Sequence, residues 1–295
     1  MSIEEFLTLA VPGLTAGAIY ALLAMGYNVI FATTGVLNFA HGEMFMVGTM
    51  AGVLLYGDAG LPLGVALGLT LMIAATLGAA EERLAVRPAL ARSHTALGWV
   101  LSTLGVAIIL RSAFALAYGP DLRRFPDILP SDTFEVAGAL MSAEQIGLIV
   151  LAIVVAVVLD TTLKHTANGQ ALGAVAQDAE AASLRGLPVS ALSVASFAIG
   201  SAIAALTGFF AAPITGAFPT VGFAFALKGF VAAAVGGIPS IKGALVGGLL
   251  LGLVESFGGD LFGAGYRDAV VFATLLAILA LRPAGLFGHG QVRAV

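Results

Sequence analysis

Asn38, His41 and Glu43 fall within six residues in the stretch "GVLNFAHGEMFMVGTMAG" (Gly35–Gly52), between two long apolar runs. An amide, an imidazole and a carboxylate so close together suit proton transfer, metal ligation or a polar constriction. On a helix His41 and Glu43, two residues apart, point in different directions. No second His or carboxylate stands at ligand spacing from His41, so metal binding is disfavoured. The four histidines, His41, His94, His165 and His289, are scattered and define no nucleophile–base constellation. Two readings stay open. In one, Asn38 caps the following helix and Glu43 sits in its first turn, where its charge suits the helix dipole. In the other, the three residues form a polar constriction at the inner end of a path.

The surroundings of the trio are apolar. The chain has 295 residues, 59% hydrophobic and only 10% charged, with a net charge of −4 and a mean hydropathy of +1.03. Soluble domains carry about 25% charged residues, and one soluble core cannot hide this much apolar surface. The composition defines a polytopic membrane protein, an all-α transmembrane bundle. Cysteine is absent, which excludes disulfides and thiolate chemistry. No basic stripe points to nucleic acid. The start, "MSIEEFLTLAVPG", lacks the positive n-region of a cleaved signal peptide and reads as a retained membrane helix.

Apolar runs long enough to approach a bilayer crossing cover 6–31, 44–56 with its preceding turn, 61–80, 96–118, 146–163, 192–213, 223–235, 244–257 and 269–281. Three of them are short, which gives eight or nine spans and suggests broken helices. With nine spans and the N-terminus outside, Arg83, Arg87, Arg92, Lys164, Arg185, Lys242, Arg282 and Arg293 lie inside. Arg111, Arg123, Arg124, Lys228 and Arg267 lie on or toward the outside. That asymmetry follows the positive-inside bias; "DLRRF" (Asp121–Phe125) opposes it. The chain is a single membrane domain, residues 1–295, with two polar loops. Residues 119–145, with Pro breaks and the turn-prone pair Ser131–Asp132, read as an external loop holding a short hairpin. Residues 164–191 read as an internal loop with a helix at 170–184, stopped by Arg185–Gly186–Leu187–Pro188.

Glycines recur four apart at Gly13/Gly17, Gly48/Gly52, Gly60/Gly64/Gly68, Gly243/Gly247 and Gly248/Gly252, a spacing that lets helices pack closely. "GVLNFAHG" and "GGIPSIKG" (Gly236–Gly243) align without gaps. The echo is compatible with a duplicated helix–turn–helix and equally with chance in so biased a composition. The second segment is not a phosphate loop, because Lys242 follows Ile241 and precedes Gly243. Tyr20 and Asn28 are candidates to line a path; Ser102, Thr103 and Thr207 are expected to bond back to their own helices. Glu255 is expected at an interface. No paired charges are recognisable within the spans, which argues against a proton relay and suits an apolar or neutral solute.

Several stretches carry a family likeness. "GAIYALLAMGYNVIFATTGVLNFAHGEMFMVG", "EERLAVRP", "GQALGAVAQDAEAASLRGLPVSALSVASFAIGSAIAALTG", "LKGFVAAAVGGIPSIKGALVGGLLLGLVE" and "LRPAGLFG" arrive in order and span nearly the whole chain. The chain resembles the branched-chain amino-acid ABC transporter permeases. It departs at Gly173, where that family usually has an Arg before "AVAQ".

The resemblance implies an importer subunit of the bacterial inner membrane that carries branched-chain amino acids or a related amino acid, amide or carboxylate. It implies a second, related but different permease subunit, two cytoplasmic ATP-binding subunits that hold the ATP, and a periplasmic or lipid-anchored solute-binding protein. No cofactor belongs to this chain, and it is not an enzyme. The internal helix is then the ATPase-coupling element: Gln177, Asp178 and Glu180 are exposed, Ala181 and Ala182 are small enough to enter a groove, and Gly186 ends it, with Leu172, Val175 and Ala176 as its apolar anchor. Asn38, His41, Glu43, Tyr20 and Asn28 are the expected path or inner gate. The competing classes are a stand-alone secondary transporter or channel, and a membrane-embedded enzyme.

Overall fold

The computed structural model describes residues 2–92, 96–128, 133–136 and 139–288; His94, the pair Ser131–Asp132, His289 and Arg293 lie outside the described residues. The order is α1 (Ile3–Thr34), α2 (His41–Gly52) with a π-helical extension (Val53–Asp58), α3 (Leu63–Glu81), a π-helical stretch (Glu82–Val86), α4 (Arg87–Arg92) and α5 (Ala96–Tyr118). The hairpin β1 (Thr133–Val136) and β2 (Ala139–Ser142) follows, then α6 (Ala143–His165), α7 (Ala167–Gln177), α8 (Ala179–Leu184) and α9 (Val189–Thr215). The chain closes with α10 (Val221–Gly236), α11 (Ile241–Phe262), a 3-10 turn (Ala264–Tyr266) and α12 (Arg267–Leu281).

Seven helical segments are long and apolar enough to cross a membrane. Two further apolar segments, α2 with its extension and the 16-residue α10, are shorter and deeply packed. All nine expected spans are therefore helical. The run expected at 244–257 is longer at both ends as α11, which has 22 residues.

Helix ends follow local chemistry. Ser2 and Glu5 form a capping box at the start of α1, and Ser142 and Gln145 another at α6. Every residue of α2 is buried, including the polar His41, Glu43 and Thr49. The glycine spacing sorts by packing. A Cβ on Gly17 would lie 2.8 Å from the Gly248 carbonyl oxygen, and one on Gly13 3.1 Å from that of Gly252, so α1 and α11 pack along these glycines. A Cβ on Gly64 or Gly68 would meet nothing within 4 Å, so that stripe packs against nothing among the described residues.

The bundle has two distinct ends. At the hairpin end, Arg123 pairs with Asp58 at 2.8 Å and bridges Ala217 through its backbone. One of the two arginines of "DLRRF" is thus neutralised. At the other end, α7 and α8 lie beside the start of α9, and Asn28 Nδ2 donates to the Ser240 carbonyl at 2.9 Å. The two echoing segments each make a tight turn, at 237–240 and at 38–41, but differ in burial: Val36, Asn38 and Ala40 are buried while Gly35 and Phe39 are exposed, and Pro239 is exposed in the second segment.

The chain before α10 also runs through the interior, with Ala217 and Pro219 buried. Non-helical backbone at such depth is tolerated only inside protein or beside water. The starts of α2 and α10 then meet: a Cβ on Gly42 would sit 2.6 Å from the Gly222 carbonyl oxygen.

The expected single helix at 170–184 is two helices. Asp178 is extended (φ −157°, ψ 103°) and its carboxylate accepts the Ala181 N–H at 2.9 Å. A short acidic side chain that captures a backbone donor ends one helix and starts the next.

Candidate translocation and coupling sites

Three of the expected path residues come together at the start of α2. Asn38 does not cap α2: the N-cap is Ala40, without a side-chain cap. Instead Asn38 Oδ1 accepts the Ala40 N–H at 2.8 Å, and Nδ2 donates to Glu81 Oε2 at 2.9 Å. An amide that folds back on its own turn is free to present its NH2 to a carboxylate across the bundle. The His41 ring packs 4.4 Å from the Tyr27 ring and against Gly26, where a Cβ would sit 2.5 Å from the imidazole. Neither ring nitrogen has a hydrogen-bond partner among the described residues. Glu43 lies in the first turn as expected, but its charge is met by Arg111 of α5, whose Nε and Nη2 both donate to Oε1, Nε at 3.2 Å. Arg111 is therefore turned into the bundle by a carboxylate from another helix.

Tyr20 and Asn28 lie elsewhere. The Tyr20 hydroxyl donates to Glu255 Oε2 at 2.8 Å, and Lys228 Nζ donates to Glu255 Oε1 at 2.7 Å. Lys228 also pairs with Asp268 at 2.9 Å. Glu255 is buried within the chain, held by Tyr20 and Lys228. The spans do hold paired charges, Glu255 with Lys228 and Glu43 with Arg111. They escaped notice because each partner comes from a distant helix. All five expected path residues are buried within the chain. Thr103 and Thr207 bond back to Trp99 and Ile203 as expected.

The sequence also hid Glu81, Glu82 and Tyr27. Glu82 accepts from Arg87 Nη2 at 2.7 Å and from the Ser193 hydroxyl at 2.9 Å; Arg87 also donates to the Ser190 carbonyl at 3.1 Å. The adjacent carboxylates thus reach opposite ways, Glu81 to the lead-in of α2 and Glu82 to the start of α9. Two signals were available. A lone Arg in the 23 residues of α5 demands a partner, and "AAEERL" sets two carboxylates at the end of an apolar run.

In the α7–α8 arm, Gln177, Asp178, Glu180, Ala181 and Gly186 are exposed. Ala182 is buried and belongs with Leu172 and Val175 to the anchor rather than to a docking face. Gly186 has φ +82°. Its N–H donates to Ser183 and that of Leu187 to Ala182, the paired bonds of a Schellman end.

A bundle of apolar helices with polar groups gathered where two short helices meet, and an exposed helical arm at one end, defines a multi-pass membrane transport subunit. Residues 9–279 match the family described as branched-chain amino acid transport system / permease component, and the chain belongs to that family. It is 33% identical to the high-affinity branched-chain amino acid transport system permease protein BraD of Pseudomonas aeruginosa, over 99% of each chain. It is 32% identical to the corresponding protein LivH of Escherichia coli K12, over 96% of each. The fold is also similar to that in the structure titled PsaBC from Streptococcus pneumoniae in complex with Fab. There the TM-score is 0.51 at 11% identity, covering 94% of this chain and 95% of that one.

Proposed function

We propose that this chain forms half of the translocation path of an ABC importer in the bacterial inner membrane, carrying branched-chain amino acids or a closely related solute. A second, related permease subunit supplies the other half. Two cytoplasmic ATP-binding subunits dock on the α7–α8 arm, and an external solute-binding protein delivers the solute at the hairpin end. The observation that carries this reading is the arm itself: short exposed helices anchored by Leu172, Val175 and Ala182 and joined to α9. From the start of α9, Ser190 and Ser193 contact Arg87 and Glu82, next to Glu81 and its bond to Asn38. Motion of the arm therefore has a contiguous route to the buried turn before α2. In this reading Asn38, His41 and Glu43 are the inner constriction and open when that route shifts.

The test is uptake in proteoliposomes holding the assembled complex. His41→Ala lowers solute taken up per ATP hydrolysed, or leaks solute, while complex yield is kept. Unchanged uptake per ATP removes the constriction from the mechanism.

A further inference from the structure

Arg111 has more donors than Glu43 uses. Both of its bonds go to the single oxygen Oε1, and among the described residues Nη1 has no hydrogen-bond partner. Its side chain is 31% exposed, whereas that of Glu43 beneath it is 1% exposed. The guanidinium lies over the Phe223 ring, 5.4 Å from its centroid, and Phe223 is itself 56% exposed. Arg111 stands seven residues, about 10 Å of helix, from the nearer end of α5. A guanidinium open to hydrocarbon is strongly disfavoured, so such a group faces protein or water.

The neighbourhood is electropositive on its open side. The starts of α2 and α10 converge here, and neither has a side-chain cap. The start of α10 brings the positive end of its dipole to the exposed side of Arg111, while the buried start of α2 carries Glu43 in its first turn, which offsets its own dipole. The compensating carboxylate of Glu43 is sealed underneath. On α10, Leu227 lies one turn beyond Phe223 and is 38% exposed, so an apolar strip runs beside the cation.

We propose that Arg111, seated on Phe223 and braced by Glu43, is the contact in the path for the carboxylate of the solute, whose aliphatic side chain lies along Phe223 and Leu227. The proposal rests on the importer reading above and names the chemistry that the path recognises. The Glu43 bond keeps the grip weak enough for release, because the guanidinium offers only its unused edge.

The test uses the full complex. Arg111→Gln alone strands Glu43, so the decisive variant is Glu43→Gln with Arg111→Gln. The double variant assembles, and its ATP hydrolysis still responds to the loaded binding protein. Relative to Glu43→Gln alone, which keeps the guanidinium and carries any loss of the constriction itself, its uptake per ATP falls roughly tenfold or more, the factor implied by one lost charge-assisted hydrogen bond, and Arg111→Lys is intermediate. In a second arm, the thiol of Phe223→Cys reacts faster with an anionic impermeant reagent than with a cationic one, and the double substitution abolishes that preference. Normal uptake in the double variant, or equal reaction with both reagents, overturns the proposal. So does loss of the partner permease from a folded double variant, which makes Arg111 a packing contact. Uptake by the unaltered complex tests the importer reading separately, and the charge preference of the Phe223→Cys thiol tests Arg111 without it.

Discussion

Asn38 and Glu81 meet through a buried hydrogen bond, amide nitrogen to carboxylate oxygen at 2.9 Å, that ties the non-helical lead-in of α2 to the end of α3. Glu81 Oε1 has no hydrogen-bond partner, so among the described residues the Asn38 amide, on Oε2, is the one donor to this carboxylate. Asn38→Ala removes it and should cost about 1–3 kcal/mol, read as a lower thermal midpoint of the purified complex. Glu81→Gln paired with wild-type Asn38 should cost less, because an amide keeps an acceptor facing Asn38 Nδ2. Equal midpoints for Asn38→Ala and wild type would falsify this role.

The glycine pattern makes a contrasting pair. A Cβ on Gly48 would run into the Ala205 backbone, whereas one on Gly64 meets nothing within 4 Å. Overpacking against backbone typically costs roughly 1–3 kcal/mol. Gly48→Ala should lower yield and melting temperature, with Gly64→Ala close to wild type. Fluorescence-detected gel filtration after a heat step reads both.

In the proposed importer, coupling runs through the end of α8. Gly186 holds φ +82°, a conformation that a β-branched residue resists. Gly186→Val should loosen the Schellman end, and Glu180→Arg reverses an exposed charge on the same short helix. Both should reduce ATPase association or stimulation while the permease stays folded. Normal stimulation and normal transport in both variants would remove the arm from the mechanism.

Lys228 connects Glu255 and Asp268 within α10–α12. Removing one member of a buried pair costs roughly 3–5 kcal/mol, and replacing the pair by apolar residues is often neutral. Lys228→Met should destabilise the protein, and Lys228→Met with Glu255→Leu should recover much of the loss. A double variant no more stable than the single one contradicts the pairing.

Topology is checked directly because the chain has no cysteine. A cysteine replacing Glu135 on the hairpin should react with an impermeant reagent on intact cells, and one replacing Glu180 on α8 only after lysis. The reverse pattern inverts the orientation.

The sequence by itself determined the class and the elements. A composition with 59% hydrophobic residues leaves no soluble solution, and the nine apolar runs became helices because bilayer-length segments must satisfy their backbone internally. The stop at Arg185–Gly186 was legible because cap residues act locally; a hairpin was expected in the loop before α6, but the turn-prone pair Ser131–Asp132 precedes β1 rather than lying between the strands. Only the tertiary structure decided the partnerships. Glu43 with Arg111, Asn38 with Glu81, and Tyr20 with Glu255 are separated by 68, 43 and 235 residues, and no local rule chooses among the polar groups that such distances offer. The break at Asp178 is a competition between two local outcomes, one continuous helix or a capped pair, settled once Leu172, Val175 and Ala182 were pinned against the bundle. The polar turn before α2 showed in the sequence that something must hold it; the neighbours that hold it come from helices the fold alone brings together.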